Sequence, residues 1–226
     1  MYIGNNKIFT AKEEKQIMYD EEISVVMCTY NGEKYVLSQL NSIRNQSLQP
    51  AEIIICDDCS TDETVNLVNE WIENEPFIEC VFIKNSLNIG CTRNFENGIK
   101  RAKHRYIALS DQDDIWMPNK LELSMEHMKK AECIYPDKPI IVHTDLEVVN
   151  KDLEVIDESF IKHEGICIPK REEQCKALLV RNYITGCTIL MNRNAANVSL
   201  PFPKNIVLHN WWIALVVSFV GYIIYI

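Results

Sequence analysis

Tyr106-Ile107-Ala108-Leu109-Ser110-Asp111-Gln112-Asp113-Asp114-Ile115-Trp116 is the stretch from which the rest of this chain can be read. A short apolar run gives way to three carboxylates within four residues, and Pro118 follows, which suits the first turn of a helix. Carboxylates crowded at the end of a buried strand repel one another unless something positive lies between them. Hard oxygen ligands suit Mg²⁺ or Mn²⁺, and such an ion keeps positions open for the phosphate oxygens of a substrate. The plainer alternative is a solvated acidic turn that caps the next helix.

Around that stretch, 226 residues give room for one sizeable domain, and 47% hydrophobic with 24% charged residues describes a globular protein. A net charge of −9 without a basic stripe argues against general nucleic-acid binding. It leaves room for a nucleotide whose phosphates a metal neutralises locally. The nine scattered cysteines read as reduced thiols of a cytoplasmic protein. Cys56-Asp57-Asp58-Cys59 has C-x-x-C spacing, but no second pair completes a four-ligand zinc site. Residues 1–22 are polar and charged, lack the apolar core of a secretory signal, and read as an N-terminal extension.

From residue 23 strands and helices alternate. Ile23-Ser24-Val25-Val26-Met27-Cys28-Thr29 reads as a buried strand broken by Tyr30-Asn31-Gly32, and Val36, Leu37, Leu40 and Ile43 then recur at helical spacing. Glu52–Cys56 reads as a second strand closing on Asp57-Asp58, and Ser60 with Glu63 has the form of a capping box. A third strand over Ile78–Ile83, a helix carrying Phe95 and Ile99, and a fourth strand over Tyr106–Leu109 complete the series. Such alternation means βαβ units on a parallel sheet, with ligands outside the carboxyl ends of the strands. Thr29-Tyr30-Asn31, Asp57-Asp58 and Asp111–Asp114 all fall at those ends, so they are expected to converge.

The ordered set Ser24–Gly32, Asp57-Asp58-Cys59-Ser60-Thr61-Asp62, Asn88-Ile89-Gly90 with Asn94, Ser110–Trp116, His143-Thr144-Asp145, Ile184–Thr188 and His209-Asn210-Trp211-Trp212 resembles family 2 glycosyltransferases, and within them the bacterial rhamnosyltransferase-like branch. The resemblance implies an α/β, GT-A (Rossmann-like) fold with a central, mainly parallel sheet flanked by helices over residues 23–226. Residues 23–115 would form the nucleotide-sugar-binding half and 116–226 the acceptor-side half. It implies a metal-dependent, inverting hexosyltransferase that uses Mn²⁺ or Mg²⁺ and a dTDP- or UDP-linked donor, with rhamnose as the sugar. The acceptor would be a bacterial surface polysaccharide or a lipid-linked saccharide, met at the inner face of the cytoplasmic membrane by peripheral association. One departure is Cys59, where the family usually has Gly and where a left-handed backbone suits Gly better.

Residue by residue, the resemblance implies that Thr29, Tyr30 and Asn31 line the base and ribose pocket and that Asp58 accepts a uracil or thymine ring N–H. Asp57 braces that loop or caps a turn, and Asn88 belongs to the same donor-side set. Arg93 faces the donor or is merely solvated. Asp113 would ligate the metal, Asp111 would contact the ribose or the metal, and Asp114 would stand behind them. Relatives place the catalytic base at the second position of a His-Asp-Trp-Trp motif, which here is Asn210. An amide cannot take that proton, so Asp145 and His209 are the alternative bases.

In the second half, Pro139–His143 reads as a strand that the resemblance places beside the fourth, residues 146–170 as a long loop, and Tyr183–Met191 as an acceptor-side strand. Trp211–Val220 reads as a buried helix too short to span a bilayer, stopped by Gly221 before a strand at Tyr222–Ile226. The chain ends on an apolar residue where relatives continue, so a shortened C-terminus is expected. Three readings stand: an active transferase, a nucleotide-sugar-binding form without its base, and a nucleotide-binding domain without sugar chemistry.

Overall fold

The computed structural model describes residues 22–76 and 78–226, so the expected extension, Glu22 apart, lies outside the described residues. β1 (Ile23–Thr29), β2 (Glu52–Asp57), β3 (Glu79–Lys84) and β4 (Tyr106–Ser110) are parallel, in the order β3-β2-β1-β4. β1, β2 and β4 are buried along their whole lengths, which is why their sequences are nearly continuous apolar runs. Strand alternation survives as a division between two cores. Val26, Cys28, Ile54, Cys56, Ile107 and Leu109 face one side; Val25, Met27, Ile53, Ile55, Tyr106 and Ala108 face the other.

Helices cover both faces. α1 (Val36–Arg44), α2 (Thr64–Asn74), α3 (Cys91–Arg101) and α4 (Lys120–Ile134) follow the first four strands in turn. Phe95 and Ile99 of α3 enter the first core; Val36, Leu40 and Ile43 of α1, Val68 of α2 and Leu121 of α4 enter the second. The expected Ser60–Glu63 capping box does not form. Ser60 Oγ donates to Asp57 instead, and α2 starts at Thr64, whose N–H and hydroxyl both donate to Asp62 Oδ1. Pro118 likewise precedes α4 rather than entering it; its carbonyl accepts from Ser47 N at 2.7 Å.

Beyond α4 come β5 (Ile140–His143), β6 (Val148–Val149), β7 (Val155–Asp157), α5 (Phe160–His163), α6 (Arg171–Val180), β8 (Ile189–Asn192), α7 (Arg193–Ser199), α8 (His209–Val220) and β9 (Tyr222–Tyr225). The sheet continues as β4-β8-β5-β9, with β8 antiparallel to both neighbours. Three expectations are corrected here. β5 does not lie beside β4, because β8 is inserted between them, and residues 146–170 hold the β6–β7 hairpin and α5 rather than a bare loop. The strand expected over Tyr183–Met191 begins only at Ile189, after a 3₁₀ turn at Gly186–Thr188. α8, the stop at Gly221 and β9 fall where the sequence puts them. Among the described residues no helix is long and apolar enough to cross a membrane.

Candidate active site

The carboxyl ends of β1, β2 and β4 open onto a cleft of about 430 Å³ lined by Cys28, Thr29, Tyr30, Asp58, Asn88, Gly90, Cys91, Asn94, Asp111, Gln112 and Asp113. Six of the residues anticipated for the donor meet there: Thr29, Tyr30, Asp58, Asn88, Asp111 and Asp113. Asp58 is buried and organises one wall. Its carboxylate accepts from Asn85 Nδ2 (3.0 Å), Ile89 N (2.9 Å) and Gly90 N (2.8 Å), which curls the 85–90 loop around it. Two carboxylate oxygens offer about four acceptor positions, so one more donor can be received from the cleft. Gly90, at φ 84°, supplies a left-handed turn that a side chain would strain.

Asp57 turns inward instead. It accepts from Thr29 Oγ1 (2.9 Å), Ser60 N (2.9 Å) and Ser60 Oγ, and so braces the turn. Asn31 accepts from Thr61 N and donates its own N–H to Ser60 Oγ, tying the β1 loop to the β2 loop from outside the cleft. Cys59 sits at φ 66°, the left-handed conformation for which Gly is better suited. Arg93 does not face the cleft. Its guanidinium reaches Glu96 and the carbonyls of Phe202 (2.9 Å) and Pro203 (2.6 Å).

In the acidic stretch, burial first, then the charges of Asp114 and Asp113, push the Asp111 carboxyl up to about 7. Asp113 is exposed at the cleft mouth. Asp114 lies deeper, with the Cys187 sulfur within 4.8 Å of its carboxylate. Uncompensated negative charge on hard oxygens at an open cleft fits a divalent cation, with Asp111 and Asp113 as the residues that would hold it.

Residues without an anticipated role hold this stretch. Gln112 bonds reciprocally to the Tyr30 backbone, accepting from its N–H at 2.9 Å and donating to its carbonyl at 3.0 Å. A Cβ on Gly32 would overlap the Gln112 amide, so only glycine lets this clamp close. From behind, the Gln39 amide, turned so that all its partners are satisfied, donates to the Asp114 carbonyl and accepts from Trp116 Nε1 (3.1 Å) and Ser110 Oγ (2.8 Å). Ser42 Oγ accepts from Trp116 N, and Gln46 donates to the Met117 carbonyl. Gln39 and Ser42 lie on one face of α1 at i and i+3, and Gln46 follows just past the helix end; these buried polar residues among apolar ones were the sequence signal for them.

On the side expected for the acceptor, the first turn of α8 packs on the 184–187 segment. Asn210 is buried, and its amide donates to the Ile184 carbonyl at 2.6 Å. His209 stacks on Phe95 with centroids 3.9 Å apart; its ring nitrogens have no partner, and burial pulls its pKa down to about 3. Asp145 lies away from the cleft lining, near β9 and the segment before α5. Burial raises its pKa, but hydrogen bonds from Ser159, Leu146 N and Ile161 N outweigh that and hold it below the usual range.

The profile described as Glycosyl transferase family 2 matches residues 24–197. The chain belongs to glycosyl transferase family 2. Among similar proteins, the putative teichuronic acid biosynthesis glycosyltransferase TuaG of Bacillus subtilis is 33% identical over 113 residues, 50% of this family 2 chain and 44% of TuaG. The Escherichia coli glucosyltransferase WfgD is 28% identical over 187 residues, 82% of this chain and 66% of its own. This family 2 chain spans about half the length of the curated relatives it matches first, 44% and 52%. Its fold matches S. aureus TarS at a TM-score of 0.66 and 20% identity, covering 91% of this chain and 58% of TarS. It also matches the Pyrobaculum calidifontis mannosyltransferase PcManGT at 0.66 and 16%, covering 90% and 54%. The α/β architecture is thus the GT-A fold, a mainly parallel sheet between helices.

Proposed function

We propose that this family 2 chain transfers a sugar, with inversion and with Mg²⁺ or Mn²⁺, from a dTDP- or UDP-linked donor to a saccharide or lipid-linked saccharide acceptor. Rhamnose is the sugar the sequence resemblance favours, and a bacterial surface polysaccharide the product. The observation that carries this reading is the convergence of Thr29, Tyr30, Asp58, Asn88, Asp111 and Asp113 on one cleft. The names of relatives support it: WfgD is a UDP-Glc enzyme acting on a diphosphoundecaprenol-linked sugar, TarS has been solved with UDP, and PcManGT with GDP-Man and Mn²⁺.

In this reading the half-exposed Tyr30 ring stacks on the base, and Asp58 accepts the ring N–H of uracil or thymine through its unused acceptor position. Asp113 and Asp111 would hold the metal, which when bound offsets the charge that builds on the departing diphosphate. The acceptor hydroxyl approaches from the α8 side and must lose a proton. Asn210 cannot accept it, the His209 ring is buried in the core, and Asp145 is held by four donors. That arrangement favours a second reading, a chain that binds nucleotide sugar while transferring it slowly.

Support for peripheral membrane association comes from the apolar side chains left exposed near α8, namely Leu179, Val180, Val207, Leu208 and Phe219. Residues 174–226 carry Lys176, Arg181, Arg193 and Lys204 but no Asp or Glu, a charge balance that suits an anionic surface.

Titration calorimetry with dTDP- and UDP-sugars, with and without Mn²⁺, tests the donor reading. Binding is expected to need the metal, to lose that dependence in Asp113→Ala, and to weaken about tenfold or more for GDP, the cost of one charge-assisted hydrogen bond. Equal affinity with and without metal, or GDP competing as well as UDP, overturns it.

A further inference from the structure

Behind the cleft lies a second cluster that shares Asp111 with the reading above but adds Asp114 and Cys187, which that reading does not use. Asp111, Asp114 and Cys187 each bring a ligand atom to within 4.8 Å of one another, a spacing that can hold a metal ion. Asp114 Oδ2 is buried without a hydrogen-bond partner. The same is true of Lys120 Nζ, which packs 3.9 Å from the centroid of the Trp116 ring in a residue that is 9% exposed. Burial pulls the Lys120 pKa down to about 8, and the nearby Cys187 and Asp114 pull against it, so the ammonium stays largely charged at neutral pH.

Lys120 breaks two local rules. It is the first residue of α4, where the helix dipole disfavours a cation, and its charge is almost fully buried. A lysine kept against both needs an offsetting partner, and a departure of this kind marks a functional position. The partner available is the carboxylate–thiol cluster.

Without the ammonium, two carboxylates and a thiol would form a mixed oxygen–sulfur pocket that prefers Zn²⁺ or Cd²⁺ to Mg²⁺ or Mn²⁺. An ion seated there would share Asp111 with the cleft. A charged lysine donates in three directions and accepts in none, so it neutralises the pocket without ligating a metal. We propose that Lys120 is a built-in counter-cation that closes the inner Asp111–Asp114–Cys187 pocket to thiophilic ions, so that a divalent metal is taken only on the cleft-facing side of Asp111 and Asp113. The proposal rests on the reading of Asp111 and Asp113 as the metal-holding pair, but its test does not use the donor.

The experiment is a Cd²⁺ titration of the full chain followed by the ultraviolet thiolate-to-cadmium band. It compares wild type, Lys120→Met and Lys120→Gln, each with and without Cys187→Ser. The serine variants subtract the signal of the other thiols. In wild type, Cys187→Ser leaves the band unchanged. In either Lys120 variant the band gains about one Cd²⁺ per chain, and Cys187→Ser removes that gain. A Cys187-dependent band already present in wild type overturns the proposal, even if neither Lys120 variant folds. So does a Lys120 variant, folded by near-ultraviolet circular dichroism, that gains no such band. Failure of the donor reading would appear separately, as metal-independent nucleotide-sugar binding with the Cys187 difference intact.

Discussion

His209 stacks on Phe95 in the first core, and burial holds its pKa at about 3 against an ordinary 6.5. His143, buried on β5, is held at about 4 by burial, against a smaller opposing pull from Asp145. Both rings stay neutral in the fold, whereas the unfolded chain takes up their protons below about 6.5. Their contribution is therefore complete above that pH and is lost as pH falls toward the folded values. At pH 5 His209 alone should cost on the order of 2 kcal/mol of stability relative to pH 7. Urea unfolding at the two pH values checks this: His209→Gln should lose its share of the decline, and an unchanged decline would remove His209 from the account. At the same scale Asn210 is tied to the Ile184 carbonyl, a partner no reading of the sequence supplied.

The loops after β1 and β4 work as one unit, because Gln112 exchanges two hydrogen bonds with the Tyr30 backbone across 82 residues of sequence. Gly32 makes room for that clamp and also donates its N–H to Thr64 Oγ1 at 2.7 Å, which joins the start of α2 to the same unit. Gly32→Ala should force the amide out, cost about 1–3 kcal/mol of stability, and weaken nucleotide-sugar binding. Adding Gln112→Ala removes the overlap, so the double variant should be more stable than the sum of the single costs allows. Thermal melts and calorimetry on the three variants measure this; strict additivity would show that the clamp and the glycine are independent.

At the scale of the whole molecule, the first turn of α8 reaches the acidic stretch through the 184–187 segment. Asn210 binds Ile184, and the Cys187 sulfur lies within 4.8 Å of the Asp114 carboxylate. Placing a carboxylate where the sequence resemblance expects the base, with Asn210→Asp, should raise transfer to the acceptor, since general base catalysis contributes about 10²–10⁴-fold. Donor affinity should hardly change. The fold should lose about 1–3 kcal/mol, because a carboxylate would face the Ile184 carbonyl that now receives the amide. Transfer rates, donor dissociation constants and urea midpoints of both forms test it. If the asparagine form is already fast and the aspartate form no faster, the base lies elsewhere.

Much of this was legible in the sequence, and the reason is local. A strand buried on both faces must be a continuous apolar run, and a polar break must follow where it leaves the sheet, so Thr29, Tyr30, Asp58, Asp111 and Asp113 could be set at strand ends from composition alone. What tertiary structure decided depends on contacts between distant segments. The insertion of β8 between β4 and β5, the turn of Arg93 toward Phe202 and Pro203, and the Gln112 clamp are pairings that no local pattern encodes. The burial of Lys120 is of the same kind: nothing local in the sequence marks its charge as buried, and only the fold brings Trp116, Asp114 and Cys187 around it.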